Sequence, residues 1–262
     1  LRVLRSGQYI GGEEVQDFEK AFASSIGVPY AVTCNSGTDA LILALKALDI
    51  GPGDEVITCS FSFFATAEAI SAVGAKPVFI EINPTNYLIA LDQIESSINS
   101  YTKAILPVHL FGCPVDMERI MDLAKKYSLF VVEDCAQASG AEWEGSPVGS
   151  WGHIGCFSFF PTKNLGASGD GGAVTTKDKQ LSQRMRQLSM HGMSQRYLHK
   201  ELGYNSRLDA IQASILNVKL KKLNSWVEKR QEIAIRYQSL LQGIPGLGLP
   251  SSINKENGRH AW

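Results

Sequence analysis

The sequence has almost no charge imbalance: 25 Lys+Arg stand against 26 Asp+Glu, a formal net charge of −1 with a pI near 6.6. That removes any electrostatic reason to expect nucleic acid or an anionic membrane as a general partner. Long hydrophobic runs are also missing. Stretches such as residues 40–45 and 104–108 fall far short of the ~20 residues a membrane span needs, and no basic–apolar signal peptide opens the chain. There is no Cys-x-x-Cys, no His-Glu-x-x-His, and no cysteine with a histidine at ligand spacing, so no metal site is expected. Repeats and low-complexity stretches are absent too.

What is present suits a folded cytoplasmic protein. Hydrophobic residues make up 44% and charged residues 19%, too apolar for disorder. Cys34, Cys59, Cys113, Cys135 and Cys156 each lie in or beside an apolar segment and read as reduced core thiols.

Strand-like and helix-like segments alternate. Short β-branched or aromatic runs predict strands at 31–34, 55–59, 77–80, 104–108, 129–133, 155–160 and 172–176. Helical patterns fall between them. Residues 13–25 put Val15, Phe18, Ala21 and Phe22 on one face; 39–48 is apolar nearly all round. Residues 116–127 and 178–190 are amphipathic, and 208–241 reads as one long helix or two abutting ones. Glycine and proline then break the pattern at 243–248. This alternation predicts an α/β fold with a mainly parallel sheet and helices on both faces. Ligands bind such sheets beyond the carboxyl ends of strands, which is where the candidate residues lie.

Asn35-Ser36-Gly37-Thr38-Asp39 opens the apolar helix, either as a plain cap or as an anion site on free N–H groups. Asp134 ends the strand at 129–133, either capping a turn or facing a cationic ligand atom, with Gln137 a turn later. Phe63 follows the strand at 55–59, as core packing or as a face for a planar ring. Lys163 is the only formally charged side chain from Gly145 to Gly169. At the end of an aromatic strand, desolvation would lower its pKa and free a nucleophilic amine for Schiff-base chemistry. A lysine, an acid, an aromatic face and an anion site are what pyridoxal 5′-phosphate requires.

These residues, with Gly51-Pro52-Gly53-Asp54-Glu55-Val56, Pro107-Val108-His109-Leu110-Phe111-Gly112, Glu133-Asp134-Cys135-Ala136-Gln137, Phe157-Ser158-Phe159 and Gly203-Tyr204-Asn205-Ser206-Arg207, closely resemble the DegT/DnrJ/EryC1/StrS family of sugar aminotransferases. The resemblance runs along nearly the whole chain. It implies the three-layer large domain of the fold type I pyridoxal-phosphate transferases over residues 1–242, the long connecting helix included. It implies that 243–262 begin a small C-terminal domain largely missing from this length, and that a short N-terminal segment before Leu1 is absent. Lys163 matches the lysine that carries the cofactor and shuttles protons, Asp134 the acid at the pyridine nitrogen, and Gln137 a residue near the ring hydroxyl. Phe63 matches the stacking aromatic, and Gly37, Thr38 and Ser158 the phosphate contacts. Asn205 matches a residue that reaches the neighbouring subunit's phosphate, which implies a homodimer with shared sites.

The implied reaction moves an amino group from an amino acid, usually L-glutamate, to a keto sugar on a nucleoside diphosphate. Lys-Asn-Leu-Gly-Ala followed by Gly-Asp-Gly-Gly is more similar to members acting at C3 of 3-keto-6-deoxy sugars. Phe160 departs from that group, where tyrosine is frequent. Lys163 argues against a dehydratase branch that carries histidine there. A keto-cyclitol aminotransferase and a non-catalytic regulatory relative are the alternatives.

Overall fold

The computed structural model describes residues 1–250 and 258–261. The strands are β1 Tyr30–Cys34, β2 Glu55–Cys59, β3 Lys76–Ile80, β4 Thr102–Ile105, β5 Phe130–Asp134, β6 Glu142–Trp143, β7 Ser146–Pro147, β8 Ile154–Ser158, β9 Gly172–Thr176, β10 Met193–Gln195, β11 Leu198–His199 and β12 Gly258–Arg259. The α-helices are α1 Arg2–Ser6, α2 Glu13–Ile26, α3 Gly37–Ala47, α4 Ala65–Ala72, α5 Leu91–Ser97, α6 Met117–Tyr127, α7 Lys179–Ser189, α8 Ala210–Leu220 and α9 Leu223–Leu241.

Seven strands form the central sheet in the order β1-β9-β8-β5-β4-β2-β3. Every neighbouring pair is parallel except the two made by β9, which runs against the rest. The expected parallel α/β architecture is therefore present. Strand β8 shows why it is layered on both faces. All five of its residues are buried, and successive side chains point to opposite sides. Cys156 joins the core around α3, while Phe157 joins the core under α2 and α8. In the second core Phe18, Phe22, Phe157 and Phe159 pack with ring centroids 5.0 to 5.6 Å apart.

Helix α3 is apolar all round because the sheet, α4 and α7 enclose it; Ala40, Leu43, Ala44 and Leu45 have no exposed surface. The segment predicted as strand 104–108 ends at Ile105. Pro107 has no N–H for the ladder, and only an isolated bridge from Val108 to Asp134 continues it. The pattern at 208–241 resolves into two helices, α8 and α9. Helices α1, α4 and α5 lie where no helix was expected.

Residues 251–257 and 262, which include much of the expected second unit, lie outside the described residues. Residues 258–261 pack against the rest of the described chain. Strand β12 pairs antiparallel with β6, and Ala261 is fully buried in the second core.

Candidate active site

The sheet register assembles the site. Gly172 of the reversed strand lies opposite Cys34 on one side and Ser158 on the other. The start of β9 therefore meets the carboxyl ends of β1 and β8. A side chain at Gly172 would meet Ser36 O at 2.3 Å, and one at Gly37 would meet Ser158 Cβ at 2.7 Å. Glycine at both places lets the first turn of α3 sit directly against the end of β8.

A cavity of about 390 Å³ opens at this edge. Of the eight residues singled out from the sequence, seven line it: Gly37, Thr38, Phe63, Asp134, Gln137, Ser158 and Lys163. Asn205 does not; it is an exposed residue on the segment leading into α8. Phe160 also lines the wall. A second cavity of about 560 Å³ shares Gln137, Thr162 and Lys163, with Phe111, Arg230 and Tyr237 on its far side.

At the inner end, the Ser36 hydroxyl caps α3 by accepting from Asp39 N–H at 3.1 Å. Ser36 therefore caps the helix, and Gly37 and Thr38 of its first turn, where N–H groups have no partner within the helix, line the cavity. Ser158 adds a hydroxyl beside them.

Asp134 is 5% exposed. Its Oδ1 accepts from Ala136 N–H at 3.1 Å and its Oδ2 from the Thr66 hydroxyl at 2.9 Å. Burial pushes its pKa up, against the pull of those two bonds and of nearby Lys163. It is a buried strand-tip acid whose charged form desolvation disfavours. Lys163 is half-buried; desolvation lowers its pKa, while Asp134 pulls the other way. Phe63 is 71% exposed and so is not core packing. Gln137 Oε1 accepts from Phe111 N–H at 2.8 Å, turning the amide nitrogen away from that contact. Phe111 takes left-handed backbone angles (φ 56°) to make that bond.

Sequence reasoning missed three contributors. The hydroxyl of Thr66, on α4, also bonds Ser62 Oγ at 2.8 Å, which ties the loop after β2 to Asp134. His109 and Glu133 are fully buried behind Asp134. His109 Nδ1 accepts from Val115 N–H at 3.0 Å, so its ring proton sits on Nε2 and donates to Glu133 Oε2 at 3.1 Å. The Glu133 oxygens also accept from Gly149, Trp151 and Gly152 N–H groups at 2.8, 2.9 and 2.7 Å. Cys135 Sγ lies within 4.8 Å of both ligand-type atoms. The imidazole and carboxylate are already engaged by the protein, which makes the cluster an internal brace for the β5 tip. A glutamate inside an apolar strand was its one visible signal.

A mainly parallel sheet with a desolvated lysine and a buried acid facing one cavity at its carboxyl edge has the layout of the fold type I transferases. The chain belongs to the DegT/DnrJ/EryC1/StrS aminotransferase family, which it matches over residues 1–262. It is 50% identical to a UDP-N-acetyl-3-dehydro-α-D-glucosamine 3-aminotransferase of Acidithiobacillus ferrooxidans over 96% of this chain and 68% of that protein. The crystal structure of DesV from S. venezuelae in complex with a ketimine intermediate superposes with a TM-score of 0.96 at 45% identity, covering 100% of this chain and 70% of that one. NtdA from Bacillus subtilis with bound cofactor PMP gives 0.92 at 36% identity, covering 100% and 60%. The chain thus spans about two thirds of the length of the proteins it matches.

Proposed function

We propose that this chain is the cofactor-binding part of a pyridoxal-phosphate-dependent aminotransferase. It moves an amino group from an amino acid, L-glutamate first among the donors to try, to C3 of a nucleotide-linked 3-keto sugar, with 6-deoxyhexoses as the leading acceptors. The observation that carries this reading is Lys163 and Asp134 on one cavity whose inner end is the first turn of α3.

The residues fit the cofactor. Gly37 lets the first turn of α3 close against Ser158, and Thr38 and Ser158 would together hold a phosphate there. Asp134, whose pKa burial raises, would be matched by a protonated pyridine nitrogen. Phe63 offers an exposed ring face and Gln137 an amide to the ring hydroxyl. When bound, the cofactor supplies a carbonyl for the amino group and a ring that withdraws electrons from the reacting carbon.

The protein does the rest. With the cofactor bound, Lys163 Nζ would be the nucleophile for its carbonyl, and the pKa lowered by desolvation favours the free amine this needs. The same Nζ takes and returns the proton in both half-reactions as general base and acid. Asp134 would hold the ring nitrogen and keep its negative charge by that pairing, while Thr66 and Ala136 N–H hold its two oxygens in place.

Asn205 serves the partner's phosphate in a homodimer, a reading supported by its exposure and its absence from the cavity of its own chain. Residues 1–242 form the large domain and 243–262 begin a smaller one. A cytoplasmic setting suits five buried free thiols. Among the described residues no helix is long and apolar enough to cross a membrane.

The test uses full-length protein. It should be yellow as purified, borohydride should fix the cofactor on Lys163, and glutamate should bleach the colour. A panel of keto-sugar nucleotides, with product regiochemistry read by NMR, then identifies the acceptor. Protein that stays colourless after reconstitution refutes the cofactor claim, and colour that no amino donor bleaches favours the regulatory alternative.

A further inference from the structure

Ser206 follows Asn205, and only 1% of it is exposed. Its hydroxyl donates to Asp39 Oδ2 at 2.6 Å and accepts from Asn35 N–H at 3.1 Å. Both partners belong to the turn that opens α3, where Asp39 N–H is held by Ser36 Oγ. On its other side the same segment is pinned to the end of α7. Ser206 N–H donates to Ser189 O at 2.9 Å, Tyr204 N–H donates to Leu188 O at 2.7 Å, and Asn205 bridges Met190. The backbone around Asn205 is therefore fastened at two places, one of them the first turn of the phosphate-facing helix.

The charge placement calls for such a fastening. A carboxylate in the first turn of a helix is favoured by the helix dipole, but it repels an anion seated at the same N-terminus. The Ser206 hydroxyl holds the Asp39 carboxylate by one oxygen toward the Asn205 segment.

We propose that Ser206 and Asp39 are positioning residues that couple the two phosphate sites of the dimer. One latch orients the first turn of α3 for the phosphate in its own chain and sets Asn205 for the phosphate in the partner. This rests on the homodimer reading above, so the experiment separates the two ideas.

Full-length mixed dimers are assembled with one tagged subunit carrying Lys163→Ala, so that only the untagged subunit gives the visible absorbance of lysine-bound cofactor. Cofactor affinity at that site is read by titration. Adding Ser206→Ala to the tagged subunit should weaken binding in the untagged one about fivefold, the fold-change one ordinary net hydrogen bond represents. Asp39→Ala in the tagged subunit should do the same. The two together should weaken binding no more than either alone, because they break one latch. Asn205→Ala in the tagged subunit is the control for the dimer reading. If it weakens the untagged site while Ser206→Ala and Asp39→Ala do not, the coupling is refuted and the shared site stands. If Asn205→Ala also has no effect, or mixed dimers do not form, the shared-site reading fails and takes the coupling with it.

Discussion

Replacing Gly37 with alanine puts the cofactor reading under a direct steric test. The new Cβ would lie 2.7 Å from Ser158 Cβ, 3.2 Å from its Oγ and 3.3 Å from its Cα. Carbon atoms pack comfortably at about 3.5 to 4.0 Å, so the contact falls short by about 1 Å. Neither side yields easily. Ser158 ends a fully buried strand, and most of α3 beyond its first turn is buried. Overpacking of this kind costs about 1–3 kcal/mol of stability. A helix start displaced by ~1 Å also carries its N–H groups out of hydrogen-bond range of an anion. One charge-assisted bond is worth about 1.5–3 kcal/mol, so pyridoxal 5′-phosphate should bind about 10- to 100-fold more weakly. Equilibrium titration gives the affinity, and thermal unfolding of the cofactor-free protein gives the stability. Ser158→Gly in the Gly37→Ala background removes the struck atom and should return most of the lost stability. A Gly37→Ala protein with wild-type affinity and Tm would refute the close-approach reasoning, as would a double variant no more stable than the single.

Three further outcomes follow from the site. Lys163→Ala should abolish the visible colour and slow the glutamate half-reaction by at least about 10²-fold, measured by single-turnover absorbance. Asp134→Asn should raise the Tm of cofactor-free protein at neutral pH while weakening cofactor binding. Burial raises this carboxyl's pKa in the fold, so ionisation opposes folding above the unfolded value, and the gap to the amide should close as pH falls through the raised pKa. Burial lowers the His260 pKa to about 4 from 6.5. Its neutral form is the one that packs, so the stability it contributes should be full above pH 6.5 and lost progressively toward pH 4. Hydrogen exchange at 258–261 should rise across that window, and His260→Gln should flatten the response.

The strands and the amphipathic helices were legible because each carries its own period within a few residues. So was the cavity edge, since parallel strands end there. Lys163 announced itself by being the one formal charge in a long uncharged stretch. What escaped was whatever depends on partners far away in the chain. Thr66 bonds Asp134 across 68 positions, and nothing in Ala65-Thr66-Ala67 signals it. Helix α4 escaped for a related reason: a run of alanine, threonine and serine has no strong face, and its place comes from packing on α3. The His109–Glu133 brace needed the ends of β4 and β5 side by side. Asn205 could be named from its motif, but that it does not line the cavity of its own chain required the fold.

Because the body of α3 is buried against the sheet, α4 and α7, the groups at its start have little freedom to adjust to a ligand of another shape. The aromatic side chains around the mouth are in the opposite situation. Phe63, Phe111 and Phe160 are each at least 49% exposed, and all three lie between the strands and α-helices. The protein therefore separates two kinds of evolvability. A new acceptor can be sought by exchanging side chains at the rim for little loss of stability, whereas a new cofactor would require rebuilding the core.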